Sequence, residues 1–347
     1  MRNGDTLKVF VTGGAGYIGR VMVPMLVQKG FDVTVLDRNF LNPPETDNPF
    51  SHLNVRFIKD DIRFFDPTLL RGQDAVVDLA ALSNDPSGEL EPIKTWDINF
   101  IGRSRVCRLA KKVGVKRYIV SSSTSVYGFR DGISDETTPP NPLTTYAEAN
   151  VAIERDTLML ADRNFTPVAL RFATAFGYSP RMRLDIAVNA MTFNALKYNK
   201  IRLMKDGQQY RPFVHVVDIS NAVKVALEAN EEKITGEVFN VGSEDLNIKL
   251  LDLANTIIKV TGIQNSIEWY GDPDTRSYRG SFEKIRNVLG YKTSVSIEQG
   301  VREIKEKIES GILMDRPEYH TVEYYKKLLD SRYIVDRYGY SINARVL

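Results

Sequence analysis

The sequence has few of the residues that build disulfide frameworks and metal centres. Its 347 residues include one cysteine, Cys107, and three histidines, His52, His215 and His320. A single cysteine cannot form an internal disulfide, which fits a reducing cytoplasm, and Cys107 is expected to be a small buried apolar residue. The histidines are scattered, without neighbouring cysteines or paired spacing, so we predict no metal site.

Long apolar runs and an excess of one charge are also absent. No stretch approaches the roughly 20 apolar residues of a membrane helix, and the amino terminus lacks the apolar core of a signal peptide. The 46 basic and 44 acidic residues are interspersed and leave a formal net charge of +2. We therefore expect a cytoplasmic protein whose partners include neither membranes nor nucleic acids.

What the first half does contain is a regular alternation of short apolar runs with amphipathic stretches. The apolar runs predict strands covered on both faces, at Leu7–Val11, Asp32–Leu36, Val55–Ile58, Ala75–Leu79, Arg117–Val120 and Pro167–Leu170. Helical patterns fall between them at Tyr17–Gln28, Pro92–Lys112 and Thr145–Asp162. This order predicts an α/β fold with a doubly wound, parallel, Rossmann-type sheet.

The pattern changes after Gly177. Helices are predicted at Leu184–Tyr198 and Asp218–Ala229, and short strands at Ile201–Leu203, Phe213–Val216 and Val238–Val241, the last returning to the first sheet. From Ile248 onward the chain is predicted to be helical and to close with Pro317–Arg337. We expect one sheet domain of residues 1–178 and 214–243, and a smaller, mainly helical substrate domain of residues 179–213 and 244–347.

A glycine-rich turn follows the first strand and opens the first helix. Its glycines match G-x-G-x-x-G at Gly14, Gly16 and Gly19, and also G-x-x-G-x-x-G at Gly13, Gly16 and Gly19. Glycine suits such a turn because the backbone adopts positive φ and because a side chain would block a pyrophosphate. The free N–H groups that open the helix then face the anion. The segment, with Tyr17 and Ile18 inside it, predicts a dinucleotide site.

An acidic residue at the end of the second strand indicates which dinucleotide binds. Asp37 lies 18 residues after Gly19, close to the roughly 20 expected for the acid that binds the adenosine ribose diol. A carboxylate there repels a 2′-phosphate, so NAD is favoured, while Arg38 keeps NADP open. Asp61 and Ile62 follow the third strand and are placed to hold the adenine.

Polar and aromatic residues follow the fifth strand and open the next helix. Ser121–Gly128 reads Ser-Ser-Ser-Thr-Ser-Val-Tyr-Gly, and Tyr146 and Asn150 are spaced to share one helix face. Ligands of such sheets lie beyond the carboxyl ends of the strands, so Ser123 is expected to face the dinucleotide. Taken singly, Ser123 is also explained as a strand-end cap and Tyr146 as a helix-start aromatic.

From Lys8 to about Lys307 the sequence resembles the extended short-chain dehydrogenase/reductases, in their NAD-dependent nucleotide-sugar epimerase/dehydratase branch. The resemblance is carried in order by Gly13–Gly19, Asp61–Ile62, Leu79–Ala81, Asn99, Ser121–Gly128, Tyr146, Leu170–Gly177, Arg211–Asp218 and Phe239–Gly242. It implies that Tyr146 is a general base that removes the proton of a sugar hydroxyl, and that Ser123 hydrogen-bonds the same hydroxyl. It also implies a homodimer formed through the helices at Pro92–Lys112 and Thr145–Asp162.

The same resemblance implies further binding residues. The NAD site would include Leu79, Ala80, Ala81, Asn99, Ser121, Tyr146, Asn150 and Phe172, beside the glycine-rich turn and the acidic residues. The nucleotide-sugar site would include Thr174 and Asn189, with Arg211 and Arg276 as diphosphate-binding arginines whose planar forks suit phosphate. Arg181 and Arg183 either add to this site or are solvated loop charges.

The chain departs from the family pattern Y-x-x-x-K, because Asn150 stands where the lysine belongs. That lysine hydrogen-bonds the nicotinamide ribose and favours the tyrosinate by its charge; asparagine keeps part of the first role and none of the second. Tyr146 is therefore expected to stay near its reference pKa of about 10 and to be a poorer base. Three explanations stay open: an engineered change that traps a ligand, a natural variant with another cation nearby, or a domain that binds without turnover. Asp78, where many relatives have histidine, has no explanation in the sequence.

A second departure from the family pattern limits which reactions are expected. Dehydratases of the family carry Asp-Glu where this chain has Thr124 and Ser125, which cannot transfer protons near neutral pH, so a 4,6-dehydratase is disfavoured. The expected reaction is oxidation at a sugar carbon, C4, by an epimerase or a dehydrogenase. Arg171–Asn189 and Gly271–Tyr278 resemble a subgroup containing GDP-heptose 4-dehydrogenases, and Thr174 replaces the asparagine usual in UDP-galactose 4-epimerases. A binding protein of little or no activity stays open, as does an ordinary alcohol or ketone reductase, which the nucleotide-directed arginines disfavour.

Overall fold

The computed structural model describes residues 6–43, 45–264, 267–272 and 277–330. Its strands are β1 (Lys8–Thr12), β2 (Asp32–Asp37), β3 (Val55–Lys59), β4 (Ala75–Asp78), β5 (Arg117–Ser123), β6 (Ile133–Ser134), β7 (Thr166–Phe172), β8 (Thr174–Phe176), β9 (Ile201–Met204), β10 (Tyr210–His215), β11 (Glu237–Val241), β12 (Asn247–Lys249), β13 (Ile267–Tyr270) and β14 (Arg279–Gly280). Seven of them form one parallel sheet in the order β11-β7-β5-β4-β1-β2-β3. The predicted doubly wound sheet is confirmed, as is the return of Val238–Val241 to it.

The helices are α1 (Gly19–Gln28), α2 (Asp85–Leu90), α3 (Pro92–Trp96), α4 (Arg103–Lys112), α5 (Thr145–Leu158), α6 (Ala187–Tyr198), α7 (Val216–Glu228), α8 (Leu250–Thr261), α9 (Glu283–Leu289), α10 (Ile297–Glu309) and α11 (Thr321–Leu328). Alternate residues of the central strands point to opposite faces, as the pleat requires. Val9 and Val11 therefore pack with α1 and α7 on one face, and Phe10 packs with α4 and α5 on the other.

A separate apolar cluster lies beside the sheet. It joins α6, α8 and α10 with β9 and β10, through side chains that include Phe213, Leu253 and Val301. The prediction of an all-helical chain after Ile248 is wrong, because β12, β13 and β14 pair with β10, β9 and β6. These strands are two to four residues long and lack a repeating apolar pattern, so periodicity could not reveal them.

The single long helix predicted at Pro92–Lys112 is wrong in detail. It consists of α3, a π-helical turn at Asp97–Gly102, and α4, which begins at Arg103. A π turn inserts one residue into the helical ladder and rotates the faces that follow it. Gly102 is buried in this turn, and an added Cβ would lie 3.0 Å from the Ile62 side chain. The turn therefore decides where Arg103 points.

Helix α5 starts at a well-formed cap. Thr144 adopts an extended conformation, and its hydroxyl accepts a hydrogen bond from the Ala147 N–H at 3.2 Å. This cap fixes the first turn of the helix and hence the position of Tyr146 within it. Within the described ranges, no helix is both long and apolar enough to cross a membrane.

Candidate active site

A cleft of about 740 Å³ opens at the carboxyl ends of the central strands. Its walls come from the turn after β1, the ends of β2, β4, β5 and β7, the start of α5, and the segment that leads into α6. Its volume lies toward the upper end of the range for small-molecule sites. The carboxyl edge of a doubly wound sheet is where such folds bind ligands.

The glycine-rich turn lines one end of this cleft. Gly13, Gly16, Tyr17, Ile18 and Gly19 are all in its wall. Gly13 has a φ of +68°, and an added Cβ would lie 2.6 Å from the backbone nitrogen of Ala80, in the wall segment Leu79–Ala81. Any side chain at this position would therefore push the turn away from the end of β4. The close fit requires glycine at this position.

Asp37, at the end of β2, lies against the same turn. One carboxylate oxygen accepts the Ala15 N–H at 3.0 Å and the other accepts the Asn39 N–H at 2.7 Å. Each oxygen keeps one lone pair, which is the arrangement needed to accept a pair of ribose hydroxyls. Burial raises the pKa of Asp37, and the two backbone hydrogen bonds counteract this shift.

Arg38 and Asp61 are also in the wall, but they are bonded to each other. The Arg38 guanidinium contacts Asp61 Oδ2 at 3.0 Å, and Arg63 donates to both oxygens of the same carboxylate. These four bonds fill the acceptor positions of the Asp61 carboxylate. Asp61 and Ile62, which were together predicted to hold the adenine, both line the cleft.

Ser123, Tyr146 and Asn150 all line this cleft. Ser123 ends β5 and caps the short helix at Thr124–Tyr127, with its hydroxyl accepting the Ser125 N–H at 3.1 Å. Asn150 is only 2% exposed, and its amide nitrogen has no hydrogen-bond partner within the described part of the chain. A buried donor without a partner costs free energy unless a ligand satisfies it. The unsatisfied nitrogen thus marks a place for a ligand acceptor beside Tyr146.

The surroundings of Tyr146 make its phenol hard to ionise. Burial raises the pKa of Tyr146, the nearby Asn150 amide lowers it, and the Asp85 carboxylate raises it again. Smaller lowering effects come from the guanidinium groups of Arg103 and Arg183. The Asn150 amide influences the phenol although its nitrogen makes no hydrogen bond of normal geometry. The pKa of Tyr146 is therefore raised above the reference value near which it was expected to stay, because the phenol is buried.

A buried ion pair that the sequence did not reveal, between Arg103 and Asp78, borders this cleft. Arg103 donates from Nε to Asp78 Oδ2 at 2.9 Å, and from Nη2 to the carbonyl oxygen of Ser121 at 2.7 Å. Both charged residues are fully buried. Asp78 also accepts the hydroxyls of Thr12 at 2.5 Å and Tyr118 at 2.8 Å. This pairing explains why an acid stands at position 78.

Arg181 and Arg183 are not solvated loop charges, since they are 1% and 6% exposed and line the cleft. Arg183 forms a two-pronged pair with Asp185, at 3.0 and 2.6 Å. Within the described ranges, the acceptors of Arg181 are uncharged, namely three carbonyl oxygens and the Thr321 hydroxyl. Burial lowers the pKa of Arg181 to about 10. A buried guanidinium without a carboxylate adds positive potential to this wall.

Two residues implied by the resemblance lie behind the cleft rather than in its wall. Asn99 bonds both the N–H and the carbonyl of Leu82, at 2.8 and 3.1 Å. Asn189 accepts the Gly177 N–H and donates to the Tyr17 hydroxyl and the Arg183 carbonyl. Because their carboxamide groups are already bonded within the protein, direct contact of Asn99 with NAD or of Asn189 with phosphates is not supported. They hold neighbouring wall residues in place.

The remaining predicted binding residues line the cleft, except for one that lies outside the described residues. Ser121, Phe172, Thr174 and Arg211 are in the wall, and the Arg211 guanidinium carbon lies 5.4 Å from the Tyr278 ring centroid. Arg276 lies outside the described residues. The carboxyl-terminal segment, which had no readable function, contributes Thr321 and Tyr325 to the wall.

Comparison with known proteins places this site in a family. The family model described as the NAD-dependent epimerase/dehydratase family matches residues 9–242. A UDP-glucose 4-epimerase of Lacticaseibacillus casei is 30% identical over 311 residues, which cover 82% of this chain and 92% of the relative. A UDP-glucuronic acid decarboxylase of Arabidopsis thaliana is 27% identical over 328 residues, covering 90% and 70%.

A solved structure agrees with these relatives. The protein MoeE5, in complex with UDP-glucuronic acid and NAD, superposes with a TM-score of 0.78 at 27% identity, covering 87% of this chain and 99% of that one. The match of the family model spans both the glycine-rich turn and the tyrosine region. This chain is therefore an enzyme of the NAD-dependent epimerase/dehydratase family, within the extended short-chain dehydrogenase/reductases, and NAD is its cofactor.

Proposed function

We propose that the protein oxidises a sugar carbon, C4, of a nucleotide-diphosphate sugar, as an epimerase or a 4-dehydrogenase. Tyr146 is the base that removes the hydroxyl proton, and Ser123 hydrogen-bonds the same hydroxyl. NAD, when bound, accepts the hydride that leaves the carbon. The observation that carries this proposal is that Ser123, Tyr146 and Asn150 line the same cleft as the glycine-rich turn.

The residues present suit NAD. The N–H groups before α1 and the turn Gly13–Gly19 would bind the pyrophosphate, and Asp37 would bind the adenosine ribose through its remaining lone pairs. The unsatisfied amide nitrogen of Asn150 would donate to the nicotinamide ribose. NAD is favoured over NADP because Asp37 faces the ribose site and the Arg38 charge is paired with Asp61.

The cleft also suits a nucleotide-diphosphate group. Its wall includes Arg202, Arg211, Tyr270 and Tyr278. Arginine side chains bind phosphate in two-pronged fashion, and aromatic rings stack on a nucleobase. The 4-epimerase and decarboxylase relatives are named for UDP-sugars. Thr174 in place of the epimerase asparagine leaves GDP-sugars, including a GDP-heptose, within the proposal.

Dehydration is not part of the proposal. The Thr124 hydroxyl is buried and donates to the Phe172 carbonyl at 3.4 Å, and the buried Ser125 hydroxyl has no partner within the described ranges. Neither group can act as an acid or a base near neutral pH. The second candidate function is binding of NAD and a nucleotide sugar with little turnover. The raised pKa of Tyr146 favours that alternative.

The deciding experiment is incubation of the purified protein with UDP-, GDP- and dTDP-sugars, with NADH absorbance and product mass followed together. Product formation that is lost in Tyr146→Phe, while NAD stays bound, is the expected result. Retained NAD indicates that the hydride is returned, as in epimerisation, and net NADH indicates a dehydrogenase. Tight binding of a sugar nucleotide without product would overturn the catalytic proposal in favour of the binding function.

We also propose that the chain has two domains, a sheet domain of residues 1–178 and 214–243 and a substrate domain of residues 179–213 and 244–347.

We further propose that the protein forms a homodimer. A groove of about 540 Å³ runs between the Pro92–Gly102 region and α5, with Trp96, Phe100 and Val151 in its wall. Met159 at its end is 75% exposed. Exposed apolar surface of this kind marks an interface. A second copy would bury it through the two helical regions that the resemblance implies.

A further inference from the structure

Two departures from the family pattern, Asn150 and Asp78, lie far apart in the sequence but meet at one place in the structure. Asn150 is on the first turns of α5, and Asp78 ends β4 beneath the wall segment Leu79–Ala81. Arg103, the first residue of α4, joins them because it pairs with Asp78 and lines the cleft together with Tyr146 and Asn150. The lost lysine charge and the new buried cation thus lie in the same cleft.

Fold stability does not explain a buried ion pair at this place. Removing two charges from water carries a large desolvation cost, and apolar residues of similar size often stabilise a core equally well. Arg103 and Asp78 are both fully buried, and Asp78 requires Thr12, Tyr118 and Arg103 to satisfy its oxygens. So costly an arrangement beside a reaction centre suggests a role in chemistry.

The hydrogen bonds hold the guanidinium in one position. Nη2 donates to the carbonyl oxygens of Ser121 and Asp78, at 2.7 and 3.1 Å, while Nε is held by the Asp78 carboxylate at 2.9 Å. Nη1 has no hydrogen-bond partner among the described residues. A planar guanidinium fixed at two of its nitrogens presents its remaining charge in a defined direction.

We propose, on the basis of the proposed function, that Arg103 is a positioning residue whose charge favours the tyrosinate of Tyr146, in place of the lysine that Asn150 replaces. Asp78 holds Arg103 in that position. The charged groups that face the phenol are Asp85 from α2, Arg103 from α4 and Arg183 from the segment before α6. Asp85 opposes ionisation, and the two arginines favour it.

The test is an ultraviolet titration of tyrosinate, with and without bound NAD, in which the curve of Tyr146→Phe is subtracted to isolate this phenol. Arg103→Met should raise the Tyr146 pKa by about one unit, because the variant loses a cation that favours the tyrosinate. Adding Asn150→Lys to that variant should bring the pKa back to about the wild-type value, since the charge returns from another element.

The matched control is Arg171→Met, which removes the guanidinium of another buried ion pair. Arg171 contacts Glu154 at 2.7 Å, is 4% exposed, and does not line the cleft. This variant is expected to lower stability without moving the Tyr146 pKa. An Arg103→Met protein with an unchanged pKa, or a shift equal to that of Arg171→Met, would overturn the proposal.

A variant that fails to fold does not end the test. Asp78→Asn combined with Arg103→Gln removes both charges and leaves an amide pair that can hydrogen-bond, and it should still raise the Tyr146 pKa; an unmoved pKa there again refutes the role of Arg103. The titration needs no sugar substrate. A missing product in the sugar panel would therefore refute the proposed function alone, whereas an unmoved titration would refute this inference alone.

Discussion

Replacing Asn150 by lysine places a positive charge beside the phenol of Tyr146, at the position where the family carries it. Asn150 lies one helical turn after Tyr146 on α5, and both line the cleft. The unsatisfied nitrogen of Asn150 shows that a donor is accommodated there without a protein acceptor. The substitution therefore adds charge to the phenol's surroundings and keeps a donor for the nicotinamide ribose.

The size of the effect can be bounded. Two unit charges about 4 Å apart interact by about 4 kcal/mol at an effective dielectric near 20, which corresponds to about three pKa units. Two effects make the actual pKa shift smaller. Position 150 is only 2% exposed, so burying a lysine ammonium there is costly. The ammonium would also be repelled by Arg103 and Arg183. We expect the Tyr146 pKa to fall by about one unit. This raises the tyrosinate fraction at pH 7, and with it turnover, by about tenfold.

The assay is the pH profile of kcat/KM with the best substrate of the sugar panel. A base that must be ionised makes the rate rise with pH until its pKa is passed. Since burial raises the pKa of Tyr146, the wild-type profile should still be rising above neutral pH, and Asn150→Lys should move the rise to lower pH. The control is NAD content, measured by mass spectrometry of the denatured protein. An unchanged or lower rate at pH 7, with NAD fully bound, would refute the tyrosine-base account.

Three further predictions concern the cofactor, the fold and the assembly. Asp37→Ala should weaken NAD binding about tenfold or more in calorimetric titration, through lost charge-assisted hydrogen bonds, whereas Asp47→Ala, at a 97% exposed side chain, should not. Gly13→Ala should lower the free energy of unfolding by more than Gly72→Ala: both have positive φ, but only Gly13 has backbone atoms within 4 Å of an added Cβ. Met159→Glu should shift the sedimentation coefficient toward the monomer, and a wild-type protein that is already monomeric contradicts the dimer.

The parts of the molecule that the sequence predicted well are those where local rules and tertiary packing agree. Strands buried on both faces have short apolar sequences, and all seven strands of the parallel sheet lie within a few residues of the predicted ranges. The glycine-rich turn was equally visible, since Gly13 leaves no room for a side chain against Ala80. Asp37 ends its strand as predicted, because the turn and the strand together determine its position.

The parts that the sequence concealed depend on contacts between distant segments. Arg103 sits in an ordinary helical pattern, and only its pairing with Asp78, 25 residues away, makes it a feature of the cleft. The sequence around Arg181 is typical of a loop. In the structure, hydrogen bonds to Glu318 and Thr321, more than 130 residues later in the chain, hold Arg181 in a buried position. The π turn before α4 has no periodic signature. No local pattern encodes which buried cation lies near Tyr146.

The charges around Tyr146 are best understood as one set. A lysine at position 150 would stand with Arg103 and Arg183 around a single phenol, and part of its favourable effect would be cancelled by repulsion among the three cations. Removing Arg103 relieves that repulsion. Asn150→Lys should therefore lower the Tyr146 pKa more in the Arg103→Met background than in the wild-type protein. Equal shifts in the two backgrounds would mean that Arg103 and position 150 do not interact, and the substitution of one cation for another would then have no electrostatic basis.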